Sequence, residues 1–195
     1  MKKVLSLLAL GAVVASASVQ AKGNWYVGAD LVNSDLKVKS LSKDFSATGL
    51  SFAVGKELQY SENFKLAFEG EYIYFGDFEE TFSYMGWPVK FSVDASAFNF
   101  NAKPKYQFAG TGFYVGAIAG LGVMSVSYEV KSSSTVTDDG RDVGFNYGVE
   151  AGYEFASGLV VSGGYRASSV SIDAENGGSE DFDFDSLYVG VDYKF

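Results

Sequence analysis

Hydrophobic and polar residues alternate along most of this chain with a period of two. The alternation is clearest over residues 187–195, where every second side chain is large and apolar: Leu187, Val189, Val191, Tyr193 and Phe195. Because successive side chains of a β-strand point to opposite faces, this spacing predicts a strand with one apolar face. Terminal residues are usually poorly ordered unless they are tied down, so we interpret this aromatic end as part of a closing strand.

The same alternation predicts seven further strands upstream. They cover residues 25–31, 50–55, 64–74, 98–105, 113–123, 145–154 and 159–166. In the fifth of these strands Gly116, Gly120 and Gly122 share one face, which favours a strand because glycine is penalised inside a helix. Pro104 removes one ladder hydrogen bond from the fourth strand, and proline is best tolerated near a strand end or a bulge.

The connections between the predicted strands alternate between long and short. Long polar loops are predicted at residues 37–46, 76–90, 129–142 and 173–182, and short turns at 59–63, 109–111 and 156–158. Both chain ends and all the short turns then fall at one end of the sheet, opposite the four long loops. This asymmetry is typical of outer-membrane barrels, whose periplasmic turns are short and whose extracellular loops are longer.

Two kinds of closed barrel share this alternation. A soluble lipocalin-like barrel turns its apolar face inward around a ligand, whereas a membrane barrel turns it toward lipid. The apolar face here has aromatic residues towards the strand ends: Trp25, Phe64, Tyr72, Tyr74, Phe113, Tyr153, Tyr165 and Tyr193. Such rings are enriched at membrane–water interfaces. We therefore predict an all-β, eight-stranded antiparallel up-and-down transmembrane β-barrel, with the soluble barrel as the alternative.

Residues 1–21 have the pattern of a secretory signal peptide. Lys2 and Lys3 form a basic start, residues 4–14 an apolar run, and residues 19–21 a small-residue cleavage site. The apolar run is too short to span a membrane as a helix. Cleavage after Ala21 would leave residues 22–195 as the barrel domain, and the loss of the two lysines would change the net charge from −9 to −11.

The composition argues against several functions. The chain has no cysteine and no histidine, which removes disulfides, thiolate sites, the Ser-His-Asp triad and most transition-metal sites. Ser162 and Ser168 would lack the usual base for a serine nucleophile. An acidic chain is also unsuited to nucleic acid, because phosphate binding needs clustered lysine and arginine. We expect no enzyme activity, no cofactor and no nucleic-acid partner.

The chain resembles a known family. The predicted signal peptide, the eight strands, the segments Lys103-Pro104-Lys105-Tyr106 and Gly110-Thr111-Gly112-Phe113, and the ending at residues 187–195 are similar to the small outer-membrane β-barrel proteins of Gram-negative bacteria. The resemblance is to the membrane domain of outer-membrane protein A and to the outer-membrane protein X type. It implies export to the outer membrane, and contact there with membrane lipid and lipopolysaccharide.

The resemblance also implies roles for particular residues. In this family the barrel-assembly machinery reads a terminal aromatic residue and the apolar residues alternating before it. The matching positions are Leu187, Val189, Val191, Tyr193 and Phe195, which also suit a lipid-facing last strand. The resemblance further implies a lumen blocked by charged pairs, mapped by strand and phase onto Glu69, Glu71, Lys103, Glu150 and Arg166. An eight-stranded interior is just wide enough for side chains to fill it.

The last predicted loop is rich in carboxylates that offer oxygen ligands for calcium or magnesium: Asp173, Glu175, Glu180, Asp181, Asp183 and Asp185. Their spacing does not match an EF-hand loop, and a solvated acidic loop is the alternative. If the first and last strands pair, the loop carrying Lys37, Lys39 and Lys43 lies beside this acidic loop. Attraction between the two loops would be modest and screened by salt.

Three functions remain open from the sequence. The first is a non-enzymatic structural or surface-interaction protein that acts in envelope integrity or in adhesion to an extracellular partner through its loops. The second is a narrow channel for ions or small solutes, gated by the charged pairs. The third is the soluble ligand-binding barrel.

Overall fold

The structure, a computed structural model, describes residues 24–38, 44–84, 87–131, 135–173 and 179–195. It contains eight strands: β1 (Trp25–Val38), β2 (Asp44–Gln59), β3 (Phe64–Tyr84), β4 (Trp87–Gln107), β5 (Phe113–Lys131), β6 (Thr135–Glu154), β7 (Leu159–Asp173) and β8 (Ser179–Lys194). Each strand pairs antiparallel with its neighbour in sequence, and β1 also pairs with β8. The predicted closed, eight-stranded barrel is confirmed. The predicted signal peptide lies outside the described residues.

No helix within the described ranges is both long and apolar enough to cross a membrane.

The strands are longer than the alternation predicted. β3 and β4 have 21 residues each, so nearly all of the predicted loop at 76–90 is a strand-paired hairpin. Strand also covers the described part of the other three predicted long loops, namely residues 37–38 and 44–46, 129–131 and 135–142, and 173 and 179–182. The bounds predicted for the four long loops were therefore wrong, because strand pairing extends into each of them. Within the described residues, these segments continue the barrel wall.

The reason for this error is that the polarity of the two faces reverses partway along several strands, including β7 and β8. In β8, Leu187, Val189 and Val191 point outward, whereas Phe182 and Phe184 point inward with aspartates on the outer face. The alternation is continuous, but the apolar face changes sides between residues 184 and 187. A search for one unbroken apolar face therefore stops at the reversal.

A β-bulge in β3 adds a second irregularity. The register to β4 shifts between Tyr74 and Gly76, so Phe75 and Phe78 both point inward although they are three residues apart. Gly76 has φ of 107°, a conformation that glycine adopts far more readily than other residues. A bulge places one extra residue in one strand and changes which side chains face inward beyond it.

The short turns are where the sequence predicted them. Gly110 and Gly158 have φ values of 71° and 86°, which suits the tight connections from β4 to β5 and from β6 to β7. The amide of Lys194 donates to the Gly158 carbonyl at 2.9 Å, and the amide of Phe195 donates to the Trp25 carbonyl at 3.0 Å. The C-terminal residue is thus held at the same end as the short turns.

Candidate functional site: the barrel lumen and the outer hairpins

The outer face of the barrel carries a continuous apolar belt. Its exposed members include Leu31, Phe52, Val54, Phe68, Phe98, Phe100, Leu121, Phe145, Val149, Val161, Leu187, Val189 and Val191. Leu187 and Phe98, for example, are each 64% exposed. Soluble monomeric proteins rarely expose a contiguous apolar patch of this extent. The soluble-barrel alternative is wrong, because the apolar face of this part of the barrel points outward.

The five charged residues predicted for the lumen lie together inside the barrel. Arg166 on β7 reaches across to Glu71 on β3, with its Nη1 atom 2.5 and 2.6 Å from the two carboxylate oxygens. Asn99 and Asn101 donate to the same carboxylate at 3.2 and 3.1 Å. Both charged side chains are almost fully buried, at 3% and 1% exposure. The pair therefore braces opposite walls of the lumen.

A second set of ion pairs lies beside this one. Lys103 on β4 is 3.4 Å from Glu69 and 2.9 Å from Glu150, and Lys105, which the sequence analysis did not include, is 3.4 Å from Glu150. Tyr26 and Tyr188 donate hydrogen bonds to Glu69 and Glu150, each at 2.9 Å. We call these six charged residues the central charge network: Glu69, Glu71, Lys103, Lys105, Glu150 and Arg166.

The periplasmic mouth holds a separate ring of four alternating charges. Lys65 lies 3.2 Å from Glu57 and 2.9 Å from Glu154. Lys194 lies 2.8 Å from Glu57 and 2.7 Å from Glu154. We call this set the periplasmic charge ring. The sequence analysis missed it, although the inward phase of all four residues near the short turns is a signal that could have found it.

The outer half of the lumen is filled with apolar side chains. The core of this apolar plug is Leu36, Phe45, Phe75, Phe78, Val93, Met124, Val126, Val170, Phe182 and Phe184. The Phe75 and Phe184 rings stack with their centroids 4.5 Å apart, and the Phe78 ring is 6.0 Å from that of Phe184. These residues come from seven strands, all except β6, so the plug ties the outer hairpins into one packed unit.

The outside of these hairpins is polar and mainly acidic. Its described acidic side chains are Asp35, Asp77, Glu79, Asp94, Glu129, Asp139, Asp181, Asp183 and Asp185, and its described basic ones are Lys37 and Arg141. We call this the acidic outer surface. It lies on the side of the apolar belt opposite the short turns.

Asp77 and Asp94 are direct cross-strand partners on the acidic outer surface. A hydrogen bond shared with Asp77 raises the pKa of Asp94 to about 6, with burial and the Asp77 charge adding to the effect. Tyr74 donates its hydroxyl to Asp77 and lies 3.4 Å from Asp94. This is the arrangement expected when two carboxyl groups share one proton.

An ion pair also joins β1 to β8 on the outer side of the apolar belt. Lys37 lies 2.5 Å from Asp185, and this hydrogen bond, together with one from Tyr165, lowers the pKa of Asp185. The predicted proximity of the lysine-bearing and acidic segments is thus seen at Lys37, whereas Lys39 and Lys43 lie outside the described residues. Within the described residues no group of three or more acidic side chains forms a metal site.

These features together define a class of protein. A closed barrel with an apolar belt outside, charges inside and short turns at one end is a transmembrane β-barrel of the outer-membrane type. Residues 5–195 match the family described as outer membrane protein beta-barrel domain. The chain belongs to this family, and its place is the outer membrane.

Solved structures show the same fold. Neisserial surface protein A has a TM-score of 0.56 and 16% sequence identity, covering 88% of this chain and 97% of its own. Ail, the attachment invasion locus protein of Yersinia pestis, has a TM-score of 0.54 and 11% identity, covering 90% of this chain and 100% of its own. A comparison with curated protein sequences gives no match.

Proposed function

We propose that this protein is a non-enzymatic surface-interaction barrel, which presents four packed hairpins outside the cell for adhesion or envelope integrity. The observation that carries this proposal is the reversal of polarity above the apolar belt. A barrel that only needed to cross the membrane could end at the belt. This one continues as a wall with an apolar interior and a polar exterior, which is the pattern of a water-exposed domain.

The filled lumen supports an interaction role over the narrow-channel alternative. From the periplasm outward, the described interior contains the periplasmic charge ring, the central charge network and the apolar plug. Eight-stranded barrels have little interior space beyond their own side chains. A conducting path would have to disrupt all three layers.

The negative charge of the acidic outer surface indicates the chemistry of a partner. Ail has been solved with the heparin analogue sucrose octasulfate, a polyanion. The acidic outer surface here would repel a polyanion, so we propose a basic or neutral extracellular partner for this chain. The terminal residues 187–195 are proposed to engage the barrel-assembly machinery.

A charge-reversal experiment tests the interaction role. Bacteria carrying the wild type are compared with a variant in which Asp94 and Asp183 are changed to Lys, both being outward and exposed. We expect equal amounts of folded barrel in the outer membrane but altered attachment to host cells or matrix. Lys56→Glu and Gln59→Glu, at the opposite end of the barrel, provide the control. Unchanged attachment and unchanged detergent resistance, both in the variant and in a strain without the protein, would refute the proposal.

A further inference from the structure

A groove indents the apolar belt close to the short turns. It has a volume of about 910 Å³ and crosses β5, β6, β7 and β8. Its floor is a row of outward-facing residues, in which Val115 pairs with Ala151, Ala151 with Gly163, and Gly163 with Val189. The two middle residues have the smallest side chains of the row, so the surface of the belt is lowest over them. We call this feature the periplasmic groove.

The space above Gly163 is open. Apart from its chain neighbours, an added Cβ atom there would have two described atoms within 4 Å, the Tyr188 carbonyl oxygen at 3.4 Å and Val189 Cγ1 at 3.7 Å. Both are ordinary van der Waals distances. The groove can therefore accept further atoms over its floor without a shift of the backbone or of a neighbouring side chain.

Three aromatic rings form the wall of the groove on its periplasmic side. Phe113 and Tyr153 are cross-strand partners, and their ring centroids lie 4.8 Å apart at an angle of 78°. The Phe155 ring packs edge-on against the other side of Tyr153, at 4.7 Å. Edge-to-face contacts are a preferred arrangement of aromatic pairs. The wall is thus packed in place and gives the groove a preformed shape.

The lining of the groove suits an apolar ligand. None of the described residues that line it is charged. The Thr111 hydroxyl is already used within its turn, because it donates to the Phe108 carbonyl at 2.9 Å and accepts from the Phe113 amide at 3.2 Å. The groove is also continuous with the belt that faces lipid. Since it lies beside the short turns, the lipid that meets it is phospholipid of the periplasmic leaflet.

A second copy of this chain fits the groove less well than a lipid does. A two-fold dimer brings the same patch of both subunits together. Two grooves that face each other over Ala151 and Gly163 would enclose a void, whereas packed protein surfaces leave few voids. Association within lipid depends largely on van der Waals packing, because lipid tails are as apolar as the side chains. A flexible chain that touches both the floor and the aromatic wall gains more such contacts than one lying on the flat belt.

We propose that the periplasmic groove binds one acyl chain of a phospholipid from the periplasmic leaflet. The bound chain exchanges with bulk lipid more slowly than the chains around the rest of the belt. The groove is a second interaction surface, at the opposite end of the belt from the acidic outer surface. Its role is independent of any partner that the outer hairpins bind.

Photo-crosslinking in nanodiscs tests the proposal. The folded barrel is reconstituted in phosphatidylethanolamine and phosphatidylglycerol, with a small share of phosphatidylethanolamine that carries a diazirine in one acyl chain. Mass spectrometry then locates the labelled residues. We expect labelling to be concentrated at the groove, on residues such as Tyr153 and Val161, above the level found elsewhere on the belt. Even labelling around the belt would overturn the proposal.

Two matched glycine variants sharpen the test. Gly163→Leu fills the floor of the groove and should abolish the concentrated labelling. Gly70→Leu is the control, because Gly70 lies on the same outer face between Val54 and Phe100, and an added Cβ atom there has no neighbour within 4 Å. It should leave labelling of the groove unchanged. Heat-modifiable gel migration checks that both variants fold.

Two results with these proteins would contradict the proposal. The first is groove labelling that persists in folded Gly163→Leu. The second is a wild type that forms dimers in the nanodiscs, with the groove protected from the diazirine, since the groove would then hold a second copy of the chain. The map of the wild type decides between lipid and protein even if Gly163→Leu does not fold.

Discussion

The ion pair between Arg166 and Glu71 offers a sharp test of the lumen's structure. Changing Arg166 to Met keeps most of the side-chain volume but leaves the Glu71 carboxylate with only the two asparagine amides, at 3.2 and 3.1 Å. Removing one partner of a buried pair typically costs about 3–5 kcal/mol, because the remaining charge stays buried. At about 1.4 kcal/mol per tenfold change, the unfolding equilibrium constant should rise at least a hundredfold.

The assay is urea unfolding in lipid vesicles followed by tryptophan fluorescence. The matched control is Lys37→Met, which breaks an ion pair of 2.5 Å with an exposed lysine and should cost about 1 kcal/mol or less. The double variant Glu71→Gln with Arg166→Met should recover much of the lost stability, because no unpaired charge remains. If Arg166→Met costs no more than the control, or if the second change recovers nothing, the pair does not brace the lumen.

Three further predictions follow from the outer half of the barrel and its closing seam. Phe184→Ala should destabilise the outer hairpins by about 3–5 kcal/mol, because the ring is fully buried and stacked, and amide hydrogen exchange should accelerate there. Asp77→Asn should lower the pKa of Asp94 from about 6 toward its ordinary value, as followed by carboxyl NMR. Gly28→Asp should impair folding, because it sets a second carboxylate against the buried Asp192 side chain, whose Oδ1 lies 2.0 Å from an added Cβ, and exchanging the two residues should restore heat-modifiable gel migration.

Each of these predictions has a contrary outcome. Unchanged exchange in the Phe184 variant would mean that the plug does not hold the hairpins. An unchanged Asp94 titration would mean that Asp77 does not share its proton. Normal folding of the single Gly28 variant would show that the β1–β8 seam does not depend on this reciprocal packing. The raised pKa of Asp94 also predicts how stability depends on pH. Between about pH 4 and 6 the folded hairpin binds more protons than the unfolded one. The free energy of unfolding therefore falls as the pH rises through that window.

The fold was predictable within the membrane because one rule governs every strand there. The alternation assigned Phe113, Val115 and Leu121 to the lipid face, and all three are exposed. The same phase placed Glu69, Glu71, Lys103, Glu150 and Arg166 inside. The sequence did not show which charges pair with each other, since that depends on the position of each strand around the barrel.

The outer half was not predictable by the same rule. Phe78, Val93 and Phe182 lie among aspartates and serines, which is the composition of a loop, and the bulge at Phe75 breaks the phase. Only the closed barrel shows that these residues face one another. The predicted set of lumen charges was also incomplete. It left out Lys105, which follows Pro104 at the end of the predicted strand. The chain therefore carries two barrel patterns in series, one for lipid and one for water.

Single-channel recording in planar bilayers tests the central claim most directly, namely that this barrel presents a packed extension over a sealed lumen. The wild type should give no steady unitary currents, whereas a variant that opens all three layers, with Phe75 and Phe184 changed to Ala, Arg166 to Met, and Lys65 and Lys194 to Ala, should begin to conduct. Steady unitary currents from the wild type, altered by Arg166→Ala alone, would contradict the account and establish a channel.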